Sequence, residues 1–170
     1  MIEHLVLLAL FTYASYRDIK THTVSNFVWV VTVILGFLFS ISKFIHYPFM
    51  IYIWTGTIIV TTLLSVGLYV ARIWGGADCK ALISISIITP TYPSWFTPLL
   101  GQHFPVFPLT VLENSILTAS FWILYLILKR KTVKEIQKQP IPFIPFMTIG
   151  IVLTILIGDP IATIYSNTFL

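Results

Sequence analysis

The chain is 170 residues long, 57% hydrophobic and only 9% charged, with a net charge of +4. A soluble domain carries about 25% charged residues, so this chain cannot cover a water-facing surface and its surroundings must be largely lipid. An ordinary soluble enzyme is excluded, the basic residues form no stripe suited to nucleic acid, and a single cysteine, Cys79, rules out an internal disulfide or a cysteine-built zinc site.

A helix needs about 20 apolar residues to cross the hydrocarbon, and continuous apolar runs without strand-like alternation point to helices rather than a barrel. The predicted spans, in chain order, are 2–18, 25–45, 49–71, 76–91, 109–128 and 143–166. The expected fold is therefore an all-α membrane protein, a bundle of about six transmembrane helices forming a single polytopic domain over 1–170. The first run has no basic n-region and no small-residue cleavage site, so it reads as a retained helix and not a signal peptide. The fourth run is short: about a dozen apolar residues separate Asp78 from "TPTYPSWFTP", so that helix is short, tilted or continued past Pro90. Segment 90–108 holds five of the ten prolines together with Tyr92, Trp95, Phe96, Phe104 and Phe107, a composition that reads as an interfacial loop. "KRKTVKEIQKQP" at 129–140 is the only charge run and reads as a solvated linker before the last span.

Threading these spans puts the loops 17–24, 72–80 and 129–140 on one side. They contain Arg17, Lys20, Arg72, Lys80, Lys129, Arg130, Lys131, Lys134 and Lys138, nine of the ten basic residues; Lys43 alone falls opposite. Lys and Arg are retained in cytoplasmic loops. That side is expected to be cytoplasmic, with both termini outside.

The four histidines, His4, His22, His46 and His103, are scattered without an HExxH spacing, and no GxSxG elbow exists. No metal and no cofactor is expected. The acidic residues are Glu3, Asp18, Asp78, Glu113, Glu135 and Asp159. Glu3 and Asp159 lie near outer helix ends, Glu135 lies among basic neighbours, and Glu113 lies early in the fifth span, where an acid complements the helix dipole. Asp18 and Asp78 differ, for both sit at the same cytoplasmic boundary of apolar helices. Each taken singly could be an interfacial charge paired with Arg17, Lys20, Arg72 or Lys80. Ionisable residues inside a membrane face the bundle interior and mark sites. Two nearby carboxyls in a partly desolvated place share one proton. The ionised member can then take a proton from water while its partner polarises a peptide carbonyl. That is the chemistry of an aspartic protease. Gly75, Gly76 and Ala77 before Asp78 would let a helix or an extended substrate approach the backbone closely.

"GGADCK" at 75–80 resembles the GxGD signature of aspartic intramembrane proteases, in the form found in archaeal preflagellin and type IV prepilin peptidases. "RDIKTHTVSN" resembles that family's first motif, with Asp18, a hydrophobic Val24, and Asn26 eight positions after the aspartate. "PIPFIPFMTIG" at 140–150 resembles the P-F-x-P-F segment that opens a late helix in these enzymes. The resemblance implies an endopeptidase that removes a short basic leader from prepilins or preflagellins at the cytoplasmic membrane face, with Asp18 and Asp78 as the catalytic pair. It also implies that Gly75, Gly76, Ala77, Lys80, Asn26, Pro142 and Pro145 shape the site. From the residues alone, Asn26 could instead cap the second helix, Lys80 could snorkel to the interface, and Pro142 and Pro145 could merely start the last helix. Ala77 stands where strict GxGD has glycine, which favours the archaeal subgroup. Bacterial bifunctional members carry a cysteine-rich insertion before the first aspartate and also methylate the new N-terminus. With 17 residues ahead of Asp18, cleavage without N-methylation is expected here. The expected partners are the prepilin or preflagellin substrate and membrane lipid, with no nucleic acid. A competing expectation is a non-catalytic small transporter or assembly scaffold whose aspartates bind a cation or proton. No repeated halves of the transporter kind are visible.

Overall fold

In the first helix, α1 (Ile2–Thr21), the buried positions are His4, Leu7, Phe11, Ala14, Ser15 and Asp18. These recur at intervals of three and four, so they occupy one face of a 3.6-residue helix. Asp18 therefore continues the core-facing stripe. The structure, a computed structural model, describes residues 2–91, 107–129 and 142–157. Most of the proline-aromatic segment and of the basic linker, Glu135, Asp159 and the end of the last predicted span lie outside the described residues.

Five further helices follow: α2 (Asn26–His46), α3 (Met50–Val70), α4 (Gly76–Ile88), α5 (Phe107–Leu128) and α6 (Ile144–Leu156). No strand occurs among the described residues. Three helices, α2, α3 and α5, are long and apolar enough to cross a membrane, and α6 is a shorter apolar helix over the described residues. The fourth helix is shorter than the span predicted for it: it stops at Ile88 with Thr89 as its C-cap, just before Pro90. The residue before a proline is pushed out of the helical region, which accounts for the stop. At 1.5 Å per residue such a helix is about 20 Å long, less than the roughly 30 Å of hydrocarbon.

Packing divides the helices into two groups. The most extensive contacts are α5 on α6 and α1 on α6, and, separately, α3 on α4 and α2 on α4. Apart from the ion pair between Glu3 of α1 and Lys43 of α2, the polar links described here follow the same division. Within the first group, Ser15 pairs with Thr148 at 2.6 Å, the Thr148 hydroxyl reaches the Phe11 carbonyl at 3.1 Å, and Asn114 donates to Thr154 at 2.9 Å. Within the second, the Trp54 indole donates to the Ile87 carbonyl at 3.0 Å and the Cys79 thiol to the Ser65 carbonyl at 3.2 Å. Between the groups lies one apolar cluster in which Leu82, Ile85 and Ile88 of α4 meet Leu7 and Phe11 of α1, Val111 of α5 and Met147 of α6.

In lipid, apolar surface gains little by leaving one hydrocarbon for another, so helices associate through close packing and small residues. Here α3 turns Thr57, Thr61 and Ser65, each four apart, inward. On α2, a Cβ at Gly36 would lie 2.6 Å from the Ile87 Cγ2 atom and 3.0 Å from its carbonyl carbon. On α6, a Cβ at Gly150 would collide with the Ser115 hydroxyl and lie 2.7 Å from the Val111 carbonyl oxygen. The glycines at these two crossings allow backbones to approach where any side chain would hold them apart.

Candidate active site

Two loops flank most of the predicted site residues, and each begins by ending a helix sharply. After α1, His22 takes φ 50°, with its N–H on the Asp18 carbonyl at 2.9 Å. After α3, Arg72 takes φ 57°, and the Ile73 N–H returns to the Leu68 carbonyl at 3.0 Å. Left-handed residues of this kind close helix C-termini, where glycine is the usual occupant. Ser25 caps α2, its hydroxyl accepting from the Phe27 N–H at 3.3 Å. The capping role considered for Asn26 thus belongs to its neighbour.

Gly75 is the N-cap of α4, with extended backbone at φ −79° and ψ 161°, and Asp78 stands three residues on. Its Oδ2 accepts from the Gly75 N–H at 3.1 Å, which is the carboxylate half of a capping box. The glycine has no side chain to return the bond. A Cβ at Gly75 would sit 3.3 Å from that same carboxylate oxygen, whereas at Gly76 the nearest neighbour is 4.0 Å away. The glycines therefore make room for the Asp78 carboxylate and leave the approach to it open, and do not serve as a helix-packing patch.

Asp18 is held from the other side. It is 8% exposed, and the first residue of α6, Ile144, is near enough for its backbone N–H to face the carboxylate. That N–H belongs to the first turn of α6, where backbone donors have no partner within the helix and the dipole favours a negative charge. Pro145, the second residue of the helix, suits this start because its missing N–H is one of those spare donors.

Both aspartates open onto one cavity of about 600 Å³. Gly75, Gly76, Ala77, Lys80 and Pro142 line it with them, while Pro145 and Asn26 do not. Asn26 belongs to the site indirectly, since its Oδ1 accepts from the Lys80 ammonium at 2.7 Å. Lys80 thus bridges α4 to the start of α2. Asp18 is near enough for its charge to bear on Asp78. His22, Thr23, Trp29, Ile73 and Phe143 also line the cavity and were not singled out from the sequence. His22 and Thr23 sit inside the first motif, and Phe143 within the proline motif, so position relative to those motifs was the available signal. Trp29 is buried edge-on to Phe11, their ring centres 6.0 Å apart, and Trp74 stacks obliquely on Phe143 at 5.2 Å. The result is a half-apolar cleft lined by both aspartates. Among the described residues no group of three or more His, Cys, Asp or Glu side chains is placed to hold a metal.

The sequence pattern of the type IV leader peptidase family matches residues 5–158. The chain belongs to this family. It is 34% identical over 122 residues to a prepilin peptidase, EppA, of Methanothermobacter thermautotrophicus, an overlap covering 66% of this chain and 31% of that protein. It is 28% identical over 124 residues to a preflagellin peptidase of Methanococcus maripaludis, covering 68% of this chain and 53% of the relative. The preflagellin peptidase of Methanococcus voltae is 30% identical over 123 residues, covering 68% and 52%. The chain therefore spans from 31% to about half of the length of these curated relatives.

Proposed function

We propose that this type IV leader peptidase family member is a membrane-embedded aspartic endopeptidase. It removes the short basic leader from prepilins or preflagellins at the cytoplasmic membrane face, and it leaves the new N-terminus unmethylated. Asp18 and Asp78 are the catalytic pair. The observation that carries this reading is the opening of both carboxyls, from helices in different packing groups, onto one cavity. The names of the relatives supply the class of substrate.

In this reading the chain is one polytopic domain with six membrane helices and both termini outside. The concentration of nine of the ten basic residues in loops that the sequence predicts to lie on the same side as the aspartates supports the cytoplasmic placement. An extended peptide enters the cavity, because a helical one keeps its scissile carbonyl within its own hydrogen bonds. The carboxyl that retains the proton polarises the peptide carbonyl, and the ionised one takes a proton from water as it attacks. As water attacks, the first carboxyl's proton passes to the carbonyl oxygen, so in the tetrahedral intermediate the two carboxyls have exchanged roles. On collapse the second gives the proton it took from water to the departing amine and the first recovers one from the gem-diol, which restores the pair.

The test is cleavage of a full-length preflagellin by the purified protein in detergent, with the products weighed by mass spectrometry. A single cut releasing the leader is expected, unchanged by chelator and without methyl incorporation when a methyl donor is supplied. Asp18→Asn and Asp78→Asn are each expected to stop the cut while the protein still inserts and purifies. Retained cleavage in either variant would defeat the proposal.

A further inference from the structure

Resting on that reading, we infer that Lys80, held in place by Asn26, anchors the main chain of the substrate by donating to a peptide carbonyl beside the scissile bond. The two observations are independent: the ammonium is fixed on Asn26 Oδ1 at 2.7 Å, and Lys80 lines the cavity that both aspartates share. A snorkelling lysine runs out to water along its own helix. This one is tied sideways to the first residue of α2 and spans the gap between two elements.

The chemistry follows from a count of donors. An ammonium carries three N–H groups and no acceptor. Asn26 uses one, which leaves two for a ligand. Neither aspartate takes them: among the described residues Lys80 forms no ion pair with Asp18 or Asp78, and the Asp78 Oδ2 accepts from the Gly75 N–H. An extended peptide presents its carbonyls alternately to either side. When one carbonyl lies between the carboxyls, a neighbouring one needs a donor from the wall. Much of that wall is apolar, with Trp29, Ile73 and Phe143, and Pro142 has no N–H to give. Lys80 meets the need, and its bond to Asn26 removes in advance much of the rotamer freedom that a free lysine would lose on binding. Lys80 recognises backbone on this account, not leader sequence.

A double-mutant cycle tests it. Semisynthetic preflagellin substrates carry single amide-to-ester replacements on either side of the cut, each weakening one carbonyl as an acceptor, and are compared in the wild-type protein and in Lys80→Met. Lys80→Met is expected to raise KM about tenfold or more, the size of a lost charge-assisted bond, with kcat changed far less. One ester position is expected to raise KM in the wild type and to have no further effect in Lys80→Met. Asn26→Leu, which keeps the ammonium but frees it, gives the same pattern at smaller amplitude, and it decides the matter if Lys80→Met does not fold. Equal ester effects in all three proteins, or a wild-type KM in Lys80→Met, would overturn the inference. Asp18→Asn run in parallel separates the failures: if it cleaves, the peptidase assignment itself falls, and if it is inert while Lys80→Met behaves as wild type, only the anchor does.

Discussion

At the scale of single residues, the site is built on backbone conformations that its side chains tolerate poorly. A left-handed residue other than glycine costs roughly 1–2 kcal/mol, while glycine adds about 0.5–1 kcal/mol of unfolded-chain entropy. Arg72, at φ 57° and outside the cavity lining, gives the clean test. Arg72→Gly is expected to be neutral to slightly stabilising in thermal unfolding in detergent, and the β-branched Arg72→Val to lower stability by more than about 1 kcal/mol. Both turn residues were invisible as such in the sequence, since neither His22 nor Arg72 is a usual turn former. The aspartates were visible because a carboxylate in an apolar run is expensive. The bond between Lys80 and Asn26 was not, because nothing in a spacing of 54 positions announces a contact.

At the scale of helices, the apolar runs announced all six helices of the described residues, and the proline after Thr89 explains the one that ended early. The partner of each helix could not be read in this way. Soluble helices show their packing face by polarity, but α2 and α3 carry apolar residues on every side, and their inward faces are marked mainly by small residues, Thr32, Gly36 and Ser40 on α2 and Thr57, Thr61 and Ser65 on α3. Gly36 and Gly56 separate the cases. At Gly56 an added Cβ meets nothing within 4 Å, so Gly56→Ala is expected to gain up to about 1 kcal/mol of helix propensity. Gly36→Ala is expected to lose about 1–3 kcal/mol through overpacking against Ile87, and cleavage should fall with it, because Ile87 lies on the helix that carries Asp78. Unfolding midpoints and cleavage rates of the two variants, measured side by side, check both statements.

At the scale of the whole molecule, Asp18 belongs to the group α1, α5 and α6, and Asp78 to the group α2, α3 and α4. The groups meet through apolar packing around α4, and at the end of α1 away from Asp18 they are pinned by an ion pair, Lys43 to Glu3 at 2.7 Å. The Glu3 side chain is only 12% exposed. Lys43→Met is therefore expected to cost about 1–3 kcal/mol by leaving that carboxylate without its partner, and adding Glu3→Gln should recover part of the loss; additive losses in the double variant would show the two residues to be uncoupled. The central claim is that acids from the two groups act as one unit on one water. Residues that act as a unit are grossly non-additive when removed. The deciding measurement is kcat/KM for preflagellin cleavage by Asp18→Asn, Asp78→Asn and the double variant in one membrane preparation. The account predicts that all three fall to the same floor; a double variant much slower than either single one, or a single variant near the wild-type rate, would contradict it.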